Sequence, residues 1–362
     1  MLFFAAVLSL SFVAANSQAQ QRETMIEENY AVQEDGILEV NVGDADVEVT
    51  SGTSNEVHVE VVLEGRDMER AREYYDRENF SVTQSGNTVR VETNPRRRVR
   101  FDWRDWRDHP HIYVRVRVPE SFNADLQTSD GDISLDRLRG DVRLRTSDGD
   151  VTAGTLQGAQ ISLGTSDGDV RVETLEGDII EIETSDGDLD LGRLTAQRIF
   201  ARTSDGDIRT GALQGEVEVK TSDGDITIAS FNGTNLFART SDGDITIDEL
   251  ISESSTVRTS DGSITVRHVE GDLDASGSSA DLRLTLVRPG MISATTSDGD
   301  VSLSLPPGYG ADLRLRGDGI RVASSLDFNG RIDDESADGT INGGGPMIEG
   351  RTSNGDVTVR GN

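Results

Sequence analysis

Residues 128–135 read TSDGDISL and residues 146–153 read TSDGDVTA. The pentamer begins again at Thr165, Thr184, Thr203, Thr221, Thr240 and Thr296, with the variants TSDGS at Thr259 and TSNGD at Thr352. Neighbouring copies stand 18 or 19 residues apart as far as Thr259, and the last two steps are 37 and 56 residues, close to two and three repeats. A degenerate copy at Ser278, Ser279, Ala280 and Asp281 fills the first gap, and weaker ones near Asp318-Gly319 and Asp338-Gly339 fill the second. On that count Thr128 to Thr352 makes twelve intervals averaging 18.7 residues. Self-similarity at this period marks units that bury their apolar residues only against their neighbours.

Within each unit the apolar positions keep a fixed distance from the Thr. Val151, Ala153, Leu156, Ile161 and Leu163 follow Thr146; Ile226, Ile228, Phe231, Leu236 and Ala238 follow Thr221. Two alternating pairs around a lone apolar residue, usually with a Gly, predict short strands joined by bends and exclude a helix. Two topologies satisfy the pattern locally. Asp-Gly is the strongest short hairpin signal, which would make the chain a meander. Twelve hairpins would make a sheet of about two dozen strands, far beyond common open sheets, with one apolar face to cover. A coil encloses its core without that difficulty, and a nearly constant unit length is what in-register stacking needs. The expected fold is therefore an all-β solenoid of 18 to 19 residues per rung, about 60 Å long at about 4.8 Å per rung.

The charge belongs mostly to the repeats. Residues 20–127 carry 14 Arg against 23 acids, residues 128–362 carry 21 Lys plus Arg against 43, and the whole chain has a net charge of −31. Such a surface excludes nucleic acid as a partner, because counterion release needs clustered cations. There is no Cys, hence no disulfide framework and no thiol for lipid attachment. The first residues, MLFFAAVLSLSFVAANSQA, have the length and apolarity of a signal peptide, with Ser17 and Ala19 placed as a small-residue cleavage site; an uncleaved membrane anchor is the alternative. Export to the periplasm, cell surface or medium is expected. No later stretch is long and apolar enough to span a bilayer as a helix.

Residues 20–127 are expected to form a β-rich entry and cap ahead of the 128–362 repeat region. GILEVNVGDADVEVT (36–50) and EVHVEVVLEG (56–65) alternate, and DMERAREYYDRENF (67–80) predicts a short helix with Met68, Ala71, Tyr74 and Tyr75 on its apolar side. This layout, with RVRVPESFNADLQTSDGDI (115–133) and the repeated TSDGD or TSNGD, resembles the DUF4097 family of candidate adhesin domains, related to head GIN autotransporter adhesin domains. The resemblance covers most of the chain and implies a single-stranded right-handed β-helix in an exported or envelope protein. It implies little chemistry. This chain uses Asp where Asn is common in the family.

Each full repeat offers two carboxylates: Asp148 and Asp150, Asp167 and Asp169, Asp186 and Asp188, Asp205 and Asp207. Stacked at about 4.8 Å they repel by roughly 1 kcal/mol per neighbouring pair in water. The structural expectation is that the first Asp accepts backbone N–H groups in an Asx-turn while Gly adopts positive φ at the corner. The functional alternative is calcium held between rungs by these same residues, although the EF-hand and nonapeptide calcium spacings are absent. No other cofactor is implied.

One stretch stands outside the repeat. NPRRRVRFDWRDWRDHPH (94–111) holds Arg96, Arg97, Arg98, Arg100, Arg104 and Arg107 together with both Trp of the chain, Trp103 and Trp106. Arg pairing and Trp stacking suit docking to an envelope protein or an anionic polysaccharide; the alternative is a loop whose Arg pair with its own Asp residues. Some β-helices act on polysaccharides, but an active site should interrupt a repeat with convergent unusual residues, and here the acids are the repeat. The expected function is a non-enzymatic, adhesin-like binding or structural module of the cell envelope, with an envelope sensor or scaffold as the alternative.

Overall fold

The computed structural model describes residues 20–95 and 110–361; the expected signal segment, 1–19, and Arg96 to Arg107 lie outside the described residues. The N-terminal strands are β1 (Gln21–Ala31), β2 (Gly36–Asn41), β3 (Ala45–Gly52) and β4 (Glu56–Gly65), followed by helix α1 (Met68–Glu78). Next come β5 (Phe80–Ser85), β6 (Thr88–Thr93), β7 (His111–Pro119), β8 (Phe122–Gln127), β9 (Ile133–Arg139) and β10 (Val142–Arg145). The regular rungs contain β11 (Val151–Gly164), β12 (Val170–Glu183), β13 (Leu189–Arg202), β14 (Ile208–Lys220), β15 (Ile226–Arg239), β16 (Ile245–Arg258) and β17 (Ile264–Ser276). The chain ends with β18 (Leu282–Leu286), β19 (Ile292–Thr295), β20 (Val301–Leu305), β21 (Ala311–Arg316), β22 (Gly319–Val322), β23 (Phe328–Ile332), β24 (Ser336–Ile341), β25 (Met347–Arg351) and β26 (Asp356–Gly361).

Stacking is parallel from rung to rung. Val151 pairs with Val170, Leu189 with Ile208, Ile226 with Ile245 and Ile245 with Ile264, each one repeat further along the chain. The chain is a β-solenoid. Asp-Gly is not a hairpin turn: the amides of Ser166 and Asp167 both donate to the carbonyl of Ser147 in the rung before, at 3.0 and 2.9 Å. Inward positions form continuous columns, among them Leu156, Leu175, Leu194, Leu213, Phe231 and Leu250, all buried. Each such side chain contributes roughly 1.5–3 kcal/mol on full burial, so neighbouring rungs supply each other's core.

The two ends are closed differently. Below the repeats, β2 and β3 stack in parallel on β8 and β9, and Val42-Gly43-Asp44-Ala45-Asp46 lies where later rungs have TSDGD. Beneath that, β6 pairs with β2 and β7 with β3, so β6 ends and β7 begins at the same corner. Antiparallel pairings of β4 with β7, β1 with β4 and β5 with β6 complete this end. Edge strand β1 is rich in charge and carries a bulge between Thr24 and Ile26, both of which discourage pairing with another sheet. Helix α1 is capped by the Asp67 carboxylate, which accepts from the amides of Glu69 and Arg70, and it buries Ala71 and Tyr74. The apolar side is the expected one, with Tyr75 stacked on Phe80 at 5.3 Å.

At the other end the spacing misleads. The 56-residue step from Thr296 to Thr352 is one rung, not three: Thr352 donates to the Gly299 carbonyl at 2.9 Å, and β25 and β26 pair directly with β19 and β20. Residues 311–322 lie beyond that rung, since β21 pairs with β25 and β22 with β26. The chain therefore passes over one position, forms the last rung, turns back through the antiparallel β23–β24 pair, and fills the gap with its final strands. Asp318-Gly319 belongs to the last rung, and Asp338-Gly339 to the returning strand β24. The degenerate copy at Ser278 does hold its place, with Ser279 bridging Asp261 and Asp298.

Among the described residues, the Thr210 hydroxyl is buried without a hydrogen-bond partner, in the column that also holds Ala153, Val172, Leu191 and Ile228. An unpaired buried hydroxyl costs about 1–3 kcal/mol. Thr210→Val keeps the shape and removes the unpaired group, so it is expected to raise the melting temperature, with a gain of about 1 kcal/mol. A lower melting temperature would show that the hydroxyl has a partner.

Candidate functional site

The pentamer divides its side chains between inside and outside. Thr points inward and is buried in nearly every copy. The Thr203 hydroxyl lies 3.0 Å from the Gly187 carbonyl and 3.1 Å from that of Ser185, and accepts from the Gly206 amide at 3.3 Å. The same arrangement recurs at Thr184, Thr221 and Thr240. Each hydroxyl thus ties its own corner to the preceding one.

The second Asp, not the first, meets the backbone, and it does so between rungs. Oδ1 of Asp150 accepts the Asp169 amide at 2.9 Å, Asp169 the Asp188 amide at 2.9 Å, Asp188 the Asp207 amide at 2.8 Å, and Asp207 the Asp225 amide at 2.9 Å. The ladder starts at Asp46, which accepts from Asp132, and resumes near the C terminus from Asp281 through Asp300 to Asp356. Arg side chains offset the repulsion at intervals: Arg171 spans Asp150 and Asp169 at 2.8 and 2.6 Å, and Arg209 reaches Asp188 and Asp207 at 3.6 and 2.5 Å. At the first step burial outweighs the amide contact from Asp132 and raises the Asp46 carboxyl above its usual range.

The expected role of Gly is corrected as well. Gly149, Gly168, Gly187 and Gly206 do not have left-handed φ, whereas Gly262, Gly299 and Gly355 in the later copies have φ of 135°, 138° and 151°. What excludes a side chain is the neighbouring backbone: a Cβ on Gly187 would lie 1.8 Å from the Gly168 oxygen. The first Asp of each pair, Asp148, Asp167, Asp186 and Asp205, is exposed at the corner. The eight calcium candidates therefore form two columns, one engaged with amides and one facing solvent. Among the described residues no group of three or more His, Asp or Glu converges so as to hold a metal.

On the strand leading into the corner, the alternation turns Phe200, Glu218 and Phe237 outward while Ile199, Ala201, Val217, Leu236 and Ala238 are buried. These outward residues are register neighbours, as are Arg202, Lys220, Arg239 and Arg258 two positions on. A groove of about 240 Å³ opens between Phe200 and Phe237 over Val217 and Leu236, with Glu218 in its wall. The Arg202 guanidinium sits 5.7 Å from the Phe200 ring centre, and the Lys220 ammonium 4.9 Å from that of Phe237. Glu218 pairs with both cations, at 2.5 and 2.7 Å. Burial opposes its charge, but hydrogen bonds from Lys220 and Arg202 outweigh that and hold the carboxyl below its usual range. The sequence reading did not single this surface out; the phase of the alternation places both rings outside, each between two buried residues.

The family model Toastrack DUF4097 matches residues 37–229 and again 211–360. The chain belongs to the DUF4097 family. Both matches run through the ladder, and the second includes the rung formed by the chain's last strands. Solved structures similar to this one include a candidate adhesin from Bacteroides fragilis, 15% identical over 71% of this chain and 98% of that one, with a TM-score of 0.34. Another candidate adhesin, from Parabacteroides merdae, is 11% identical over 80% and 97%, with a TM-score of 0.33. A candidate lipid-binding protein from Parabacteroides distasonis is 10% identical over 94% and 96%, with a TM-score of 0.26. No curated protein matches.

The ladder separates two properties of Asp225, its acceptor oxygen, which receives the Asp244 amide at 2.8 Å, and its charge. Asp225→Asn keeps the acceptor and relieves repulsion along the column, so the melting temperature should hold or rise. Asp225→Ala should cost about 1 kcal/mol. Equal losses in both variants would mean that the charge, rather than the acceptor, stabilises the corner.

Proposed function

We infer that this chain is an exported, non-enzymatic, adhesin-like binding module of the cell envelope, in which the solenoid is the support and unrepeated or outward residues make the contacts. The observation that carries this reading is how the repeat spends its chemistry. Its Thr hydroxyls and second Asp carboxylates are engaged between rungs, and its Gly residues are held by close backbone approach. Those groups are committed to stacking and have no freedom left for turnover. Export rests on the leader sequence of residues 1–19, and no helix among the described residues is long and apolar enough to cross a membrane.

The Arg and Trp segment is the first contact region proposed. Its flanks, Thr93 at the end of β6 and His111 at the start of β7, stand at the corner that later rungs close with the pentamer. Arg96, Arg97, Arg98, Arg100, Trp103, Arg104, Trp106 and Arg107 bring paired donors and large ring faces to one short segment, the composition of binding hot spots. An envelope protein or polysaccharide is the partner class. Fractionation of cells should recover the mature chain outside the cytoplasm. Trp103→Ala combined with Trp106→Ala should lower adherence of the purified chain to isolated envelopes about tenfold or more, with an unchanged melting temperature. Undiminished adherence would remove the segment from the contact, and cytoplasmic retention would overturn the envelope role.

A further inference from the structure

In a chain with 66 acids and 35 Lys plus Arg, one column reverses the sign. Arg202, Lys220, Arg239 and Arg258 are stacked in register on successive rungs, bounded by Glu183 below and Ser276 above. At about 4.8 Å between strands, such neighbours repel as the aspartates do. The protein neutralises this run only partly. Glu218 serves Arg202 and Lys220, Glu183 lies 4.0 Å from Arg202, and Asp274 lies 3.2 Å from Arg258. Arg239, in the interior of the run, is exposed and has no ion pair among the described residues. The neighbouring outward column presents Phe200 and Phe237 with the groove between them. These side chains point away from the core, so stacking the rungs does not require them.

We propose that this stripe binds an extended acidic polysaccharide, a chain of uronate-type sugars lying along the rod axis. Carboxylates on the glycan would meet Arg239 and its neighbours, with Arg offering planar bidentate donors. The apolar faces of pyranose rings would lie against Phe200 and Phe237. Length supports the match, because successive sugars of an extended 1,4-linked chain repeat on the scale of the rung spacing, so a regular glycan can stay in step over several rungs. Screening confines the interaction to the nearest charges, within about 8 Å at physiological salt; there Glu183, Glu218 and Asp274 are paired with Arg202, Lys220 and Arg258, and Arg239 is the cation left over. A second copy of this chain, offering its exposed column of Asp148, Asp167, Asp186 and Asp205, is the competing occupant. It is disfavoured because a row of aspartates would leave both Phe rings without an apolar partner.

The proposal rests on the reading of the chain as a binding module, and the experiment separates the two. Titration calorimetry of the mature chain with an oligogalacturonate should show binding at least tenfold tighter than a neutral 1,4-linked glucan oligomer of equal length, weakening as salt is raised. Arg239→Ala and Phe237→Ala should each reduce affinity about tenfold without changing the melting temperature; Arg239→Lys should recover part of the loss, and the Trp103 and Trp106 double variant should bind the oligomer normally. Absence of oligogalacturonate binding, or binding indifferent to Arg239 and Phe237, overturns the proposal. Sedimentation showing self-association that Arg239→Ala abolishes does so as well, in favour of the second copy. If the chain adheres to envelopes yet ignores the oligomer, only this inference falls and the binding-module reading stands.

Discussion

An aspartate oxygen receives the amide of the next rung's aspartate, and a buried threonine hydroxyl reaches back to the carbonyls of the rung before. The rest of the molecule follows from that pair of contacts. Together they bring successive corners so close that a Cβ on Gly187 would overlap the Gly168 oxygen, which is why the fourth position of the motif is Gly. Close corners hold the strands in parallel register, and register places each inward Val, Ile and Leu over its equivalent. Hydrophobic burial supplies most of the stability, while the polar corner decides which alignment is used. A slip by one residue would reverse inside and outside along a whole strand.

The same contacts make a highly charged surface tolerable. A carboxylate that accepts a backbone amide gains a charge-assisted hydrogen bond, and Arg171 and Arg209 each reach two successive aspartates of the column. The acidic character of the chain is thus in part a by-product of how it is built. Against that background, the few places where the sign changes or aromatic residues face outward carry more information about binding than the repeated acids do.

Much of this was legible in the sequence, and the failures have physical causes. The period, the inward columns around Leu156 and Phe231, and the apolar side of α1 follow from alternation and spacing alone. The choice between the two aspartates does not, because both belong to one motif and differ only in which faces the next rung, a property of the stack rather than of the pentamer. The glycine reading failed at Gly149, Gly168, Gly187 and Gly206 for the same reason, and held at Gly262, Gly299 and Gly355: local turn chemistry predicts a special φ, whereas the constraint common to all these copies is a neighbour about one repeat away. Near Thr352, three repeat lengths happened to equal the length of an excursion and return, so arithmetic concealed a change in topology. Phe200 and Phe237 were within reach of the alternation rule, as each stands between two buried residues.

The out-of-order rung has a consequence for how the molecule reaches its final form. Strands β21 and β22 pair with β25 and β26, not with β19 and β20. A chain emerging from its N terminus can therefore add turn upon turn only as far as β20. The segment that follows, held to itself by the antiparallel pairing of β21 with β24 and β24 with β23, joins the stack only when β25 and β26 lie in between. Those two strands act as a keystone, set last and holding apart two parts that were made before it.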